Sequence, residues 1–210
     1  MINTTRILSY LPTIGILIFV GLYFYATGFY PGGSQADLNS IGFEWRHNHW
    51  CNLMAEKSMN GLENPARPIS IFGLVVLCSS MILFFFKFAN SFEKNKNWNK
   101  TIKISGTIAM LSAIFIFTSY HDILTTVLSI CGVLVIIGMI RSLHNNKLTA
   151  FKIVGIMSIA IVGMNNLFYF NEYLNEYSPL IQKIGFILIL GWTIGLNIKI
   201  SRKNIEEGML

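Results

Sequence analysis

The chain has 210 residues, of which 53% are hydrophobic and only 12% charged, about half the charge of an average globular protein. A soluble domain of this length leaves roughly 30% of its unfolded-chain surface in water, and so few charges cannot keep that surface wet. Composition therefore excludes a soluble enzyme, a nucleic-acid module and a disordered tail. It points to an all-α polytopic membrane protein in a single domain over 1–210. The formal charge of +6 agrees with this, because the basic residues sit at the ends of apolar runs, where they report topology rather than a nucleic-acid partner.

A spanning helix needs about 20 mostly apolar residues. Six stretches qualify: about 7–29, 68–89, 103–120, 122–141, 153–171 and 179–199. Pro68 and Pro179 suit the first turn of the second and sixth. The third is short unless Lys103 snorkels, and the fifth is interrupted by Asn165 and Asn166. The first is too long for the apolar region of a secretion signal, and no small-x-small cleavage site follows it.

Lys and Arg on alternating connections set the direction. One side holds twelve basic and three acidic residues, net +9, and the other holds four and seven, net −3. The basic side carries both termini, which are expected in the cytoplasm, with the chain in the inner (cytoplasmic) membrane. Its connection Glu93-Lys94-Asn95-Lys96 reads as a topology signal resting on anionic lipid heads. No repeat of 20–50 residues is present. The cysteines are three, Cys51, Cys78 and Cys131, and the last two lie in apolar runs, so no disulfide framework is expected.

The outer connection, 30–67, is the only long one. It opens on Pro31-Gly32-Gly33 and carries Phe43, Trp45, Trp50, Leu53 and Met54, which need an apolar surface. Trp45, Trp50 and Leu53 read as a lid over the outer mouth of the bundle. The stretch Ile41–Met59 is expected to form a short helix on the membrane, with Glu44, His47 and Cys51 on one face. At the end of this connection, Pro65 and Pro68 hold Asn64 and Arg67 extended. Arg67 then serves either as a stiff helix start with one interfacial arginine, or as a residue facing a lipid phosphate or Asp122.

His121 and Asp122 lie on the very short outer link between the third and fourth spans. Asn165 and Asn166 sit at similar depth, and such a pair is costly unless it is partnered or lines a cavity. Glu44, Arg46, Asn64, Arg67, His121, Asp122, Asn165 and Asn166 are the candidate ligand-binding residues of the outer mouth. His47, His49 and His121 suffice in number for a zinc site, but no His-x-x-x-His or His-Glu-x-x-His occurs, and no cofactor is expected. No Gly-x-Ser-x-Gly elbow occurs either.

With a long outer first loop beginning Tyr30-Pro31-Gly32, the helix start Asn64-Pro65-Ala66-Arg67-Pro68 and His121 leading the fourth span, the chain resembles the bacterial six-helix proteins of domain-of-unknown-function family 998. More remotely it is similar to the Frag/DRAM/Sfk membrane proteins. The resemblance implies an integral membrane protein and does not imply an enzyme. Two functions follow. The first is a membrane protein whose outer mouth binds lipid head groups or a membrane partner, another protein or itself. The second is a membrane-embedded, metal-dependent lipid hydrolase or transferase using His121 and Asp122.

Overall fold

The computed structural model describes residues 8–171 and 173–206, with the side chains of 121, 122 and 204–206 excepted. Among these residues the chain is helical, with only two isolated bridges, Gly32–Ile41 and Lys57–Glu63, in place of strands. The long helices are α1 (Leu11–Thr27), α2 (Arg67–Phe92), α3 (Lys96–Ile114), α4 (His121–Asn145), α5 (Thr149–Phe170) and α6 (Ser178–Glu206). Four segments, α2, α5, Ile123–Asn145 of α4 and Asn175–Lys203 around α6, are long and apolar enough to cross a membrane. Helix α1 is equally apolar in character but has only 17 residues.

The third expected span shifts in the structure. Asn95 accepts hydrogen bonds on its side chain from the N–H groups of Asn97 and Trp98, which starts α3 at Lys96, seven residues before the apolar run. The helix ends at Ile114, and residues 115–120 form turns. A polar cap thus outweighs the hydropathy pattern in fixing where this helix lies.

Two compact units make up the chain, and helices α1, α2, α5 and α6 contribute residues to both. The first comprises Met1–Leu17, Val75–Gly155 and Leu190–Leu210. Its core is aromatic and aliphatic, with Phe84, Phe88, Ile102, Met139, Leu143, Leu196 and Ile200 fully buried. Gly138 lets α4 approach α3, since a Cβ there would stand 2.7 Å from Ile102, the small-residue device of membrane helix packing. Polar side chains tie chain ends together: Lys87 donates to the carbonyls of Leu8 and Ser9, both at 2.8 Å, and Trp192 to that of Phe151 at 2.8 Å.

The second unit comprises Ile18–Leu74 and Ile156–Ile189, and so contains the whole connection 30–67. That connection is a folded cap, not a helix: of Ile41–Met59, only the 3-10 turn Trp50–Met54 is helical. The expectation of an amphipathic helix over Ile41–Met59 is thereby corrected. The physical reason is competition from side chains. Asn48 accepts the Glu44 N–H at 2.8 Å and donates to the Gly33 carbonyl at 2.7 Å, so the backbone is satisfied without a helical ladder. Gly33 holds φ at +79°, and a Cβ there would lie 2.3 Å from the Asn60 nitrogen. Only glycine fits that turn.

Asn64 closes the cap. It is buried, its amide donates to the carbonyls of Asn52, Leu53 and Ala55 at 2.9–3.3 Å, and its Oδ1 accepts the Ala66 N–H. Arg67 is not extended as expected but is the first residue of α2, because its N–H donates to the Asn64 carbonyl and closes a turn there.

Candidate functional site

The cap is seated by its aromatic residues. Trp50, 6% exposed, packs with ring centroids 5.9 Å from Phe19, 5.4 Å from Tyr23 and 5.1 Å from Phe186. Leu53 is fully buried beside it in sequence. These two therefore find the apolar cover that large apolar groups in this connection need. Trp45 does not go fully under: it stays 41% exposed, with the Phe24 ring tilted against it at 4.8 Å and Phe43 edge-on at 5.3 Å.

Beneath this aromatic layer, α6 reaches the cap with two consecutive polar residues. Gln182 accepts the Trp50 N–H on its Oε1 at 2.9 Å. Lys183, only 8% exposed, donates to the Asn48 carbonyl at 2.5 Å and to the Pro179 carbonyl at 3.1 Å. The Phe43 ring covers its ammonium at 5.6 Å, a cation–π contact. Among the described residues no carboxylate lies within ion-pair distance of this nitrogen.

His49 stands next to that cation. It is 4% exposed, it meets the Tyr169 ring edge-on at 6.0 Å, and neither of its ring nitrogens has a hydrogen-bond partner. Burial, and after it the charge of Lys183, hold the imidazole below its ordinary pKa. The Gln182 amide opposes this from nearby without hydrogen-bonding geometry. The ring is therefore neutral at pH 7, with one N–H donor and one lone pair unused.

The other expected site residues are placed as follows. His47 pairs with Glu44 at 3.4 Å on a partly exposed edge. Arg46 is exposed. Arg67 lies 3.4 Å from Glu56, a partner that its prolines do not announce. Asn165 is half-buried and accepts from Ser178 at 3.5 Å, while Asn166 is exposed. The side chains of His121 and Asp122, and with them the expected set His47, His49 and His121, lie outside the described residues. Among the described residues no three His, Cys, Asp or Glu come together as metal ligands. Cys51 is exposed, Cys78 buried and Cys131 half-buried, all as free thiols.

Lys183 and Gln182 are the functional candidates that sequence reasoning passed over. Both looked like first-turn residues of a spanning helix. The available signal was Lys183 itself, an ammonium placed after Pro179-Leu180-Ile181 with no acidic neighbour in its helix turn. No family model, characterised protein or solved structure matches the chain.

Proposed function

We propose that the chain is a six-span protein of the cytoplasmic membrane, with both termini inside and the cap 30–67 outside, that binds an anionic lipid head group beneath the cap. The excess of twelve basic residues on one set of connections over four on the other supports this direction. In this reading α1 and α3 complete the six spans. Their 17 and 19 residues give about 26 and 29 Å at 1.5 Å per residue, against a hydrocarbon core of about 30 Å. The likeness to the six-helix family of unknown function belongs to the same reading.

The observation that carries it is a buried ammonium that has no carboxylate partner among the described residues, paired with a buried imidazole whose two nitrogens have no partner among them. Charged groups at membrane depth are expensive and persist where they serve a ligand or a pathway. A phosphate oxygen complements both groups, with charge from Lys183 and a hydrogen bond from His49. Phosphate–ammonium contacts are charge-assisted and so stronger than neutral ones.

Native mass spectrometry of protein in phosphatidylcholine nanodiscs containing phosphatidylglycerol tests this. The wild-type chain should retain a phosphatidylglycerol that Lys183→Met loses, while Lys183→Arg keeps it and His49→Phe weakens it. Equal retention by all four would overturn the proposal. A co-purifying protein chain that Lys183→Met releases, in place of lipid, would favour a membrane partner at the cap. Stoichiometric zinc that disappears in both His47→Ala and His121→Ala would favour the hydrolase.

A further inference from the structure

In the unit that holds α3 and α4, a polar cavity of about 320 Å3 opens where the α2–α3 turn meets the end of α4. Its lining includes Phe92, Glu93, Lys94, Arg141, Asn145 and Asn146. The volume lies at the small end of the range for small-molecule sites, roughly 300–1,000 Å3.

The polar groups around it divide into those already used and those left over. Glu93, 7% exposed, is used throughout. Its Oε2 accepts from Ser142 at 2.6 Å and from Arg141 at 2.8 Å, and its Oε1 accepts the Asn95 N–H at 2.8 Å. Burial works against its charge, but these three donors outweigh burial and hold the carboxyl below its ordinary range. The last carbonyls of α2 are covered as well, Phe92 by the Asn146 amide at 2.7 Å and Ala89 by the Asn99 amide at 2.7 Å.

What remains is donor capacity. Arg141 spends one nitrogen on Glu93 and lies over the Trp98 ring at 5.7 Å, so its guanidinium is fixed in place. Its other N–H groups make no hydrogen bond among the described residues, and its side chain is 37% exposed. Lys94 is exposed and has no partner among the described residues, and the Asn145 amide is likewise unused. Glu93 balances Arg141, so the lining carries a net positive charge through Lys94.

We propose that this cavity binds a phosphate group, carried either by a soluble phosphorylated small molecule or by a lipid head group. The pre-set guanidinium supplies planar, two-pronged recognition of phosphate oxygens, and Lys94 supplies the charge. Because Arg141 is already immobilised by Glu93 and Trp98, little side-chain entropy is lost on binding. The site is separate from His49 and Lys183 and does not depend on the function proposed for them.

The test uses the full chain in phosphatidylcholine nanodiscs with two probes, glycerol 3-phosphate in solution and phosphatidylglycerol in the disc. One probe or both should bind saturably at one per chain, in addition to any phosphatidylglycerol that Lys183 holds beneath the cap. Lys94→Gln should weaken that binding at least about tenfold, a loss of about 1.4 kcal/mol, and Arg141→Lys should weaken it too. Lys100→Gln, an exposed lysine in the same unit outside the cavity, should leave it within about twofold. Binding of glycerol 3-phosphate identifies a soluble ligand, and binding of the lipid alone identifies a head group. Absence of saturable binding by either probe overturns the proposal. So does equal weakening by Lys94→Gln and Lys100→Gln, which would reveal diffuse attraction to a basic face. Lys94 is exposed and has no hydrogen-bond or ion-pair partner among the described residues, so its variant keeps the test decisive even where Arg141→Lys fails to fold.

Discussion

Replacing Trp50 by alanine should release the cap. The indole is 6% exposed and is bounded by Phe19, Tyr23 and Phe186. Burial of a tryptophan removes about 200 Å2 from water, which is worth about 5 kcal/mol at 25 cal/mol per Å2. The undocked cap would still touch the membrane interface, where indoles are favoured, so the net loss is smaller, about 3 kcal/mol. When opening and closing are fast, proteolysis tracks the population of the open form. Cleavage between Asp37 and Asn60 should then accelerate about 150-fold, at 1.4 kcal/mol per factor of ten.

Limited proteolysis of nanodisc-embedded protein, with cut sites read by mass spectrometry, measures this. Trp45→Ala is the internal comparison. With 41% of that residue exposed, its loss should accelerate cleavage less, about 25-fold for roughly 2 kcal/mol. Trp50→Phe should cost little, because the indole N–H has no hydrogen-bond partner to lose. If Trp50→Ala changes the rate by less than about threefold, or if Trp45→Ala matters more, the seating described here is wrong.

Acid should loosen the same cap through His49. Its folded pKa lies below the ordinary 6.5, so the unfolded cap takes up more protons and stability falls as pH drops below about 6.5; faster cleavage at pH 5 than at pH 7.5, absent in His49→Phe, is the expected readout. Glu93→Gln should lower the melting temperature, by about 2–3 kcal/mol of stability, since it leaves the Arg141 charge without its buried partner. Glu93 is held charged in the fold, so its stabilisation is present above pH 4.5 and fades as pH falls through its lower folded pKa; the mutant's melting curve should lack that acid limb. Asn64→Ala strips one donor from three cap carbonyls and one acceptor from the Ala66 N–H, and proteolysis should show about 2 kcal/mol of lost cap stability.

The helical class and the membrane-capable segments were legible because hydropathy and length are properties of single segments. Pro68 and Pro179 marked helix starts to within a residue, since a missing N–H is harmless only there. The burial of Trp50 and Leu53 was legible for the same reason: large apolar groups must find cover. The path of the cap was not. Periodicity over Ile41–Met59 matched a helix, but Asn48 and Asn64 reach across 15 and up to 12 residues to satisfy distant backbone groups. Such bonds depend on the folded path and leave no periodic trace in sequence. Glu93 likewise looked like part of a solvated basic loop, and its partners Arg141 and Ser142 lie 48 and 49 residues away.

That difference bears on how candidate residues should be weighed in this chain. Asn64 was an attractive ligand-binding residue because a polar group beside two prolines at a membrane boundary demands a reason. The reason is structural: all of its hydrogen-bonding capacity is spent inside the cap. Asn48 is spent in the same way, on Glu44, Gly33 and Lys183. A buried polar group that the chain itself satisfies has its cost offset by folding and needs no ligand. His49 is the opposite case. It is as deeply buried, yet both nitrogens are idle, and an unspent imidazole costs stability that folding does not recover. Beside it, Lys183 holds the cap by a carbonyl, a weaker anchor for an ammonium than a carboxylate would be. Had the pair served only to pin the cap, an acidic residue in place of His49 would do it better. On the proposed function, the pair takes a negative charge that arrives from outside the chain.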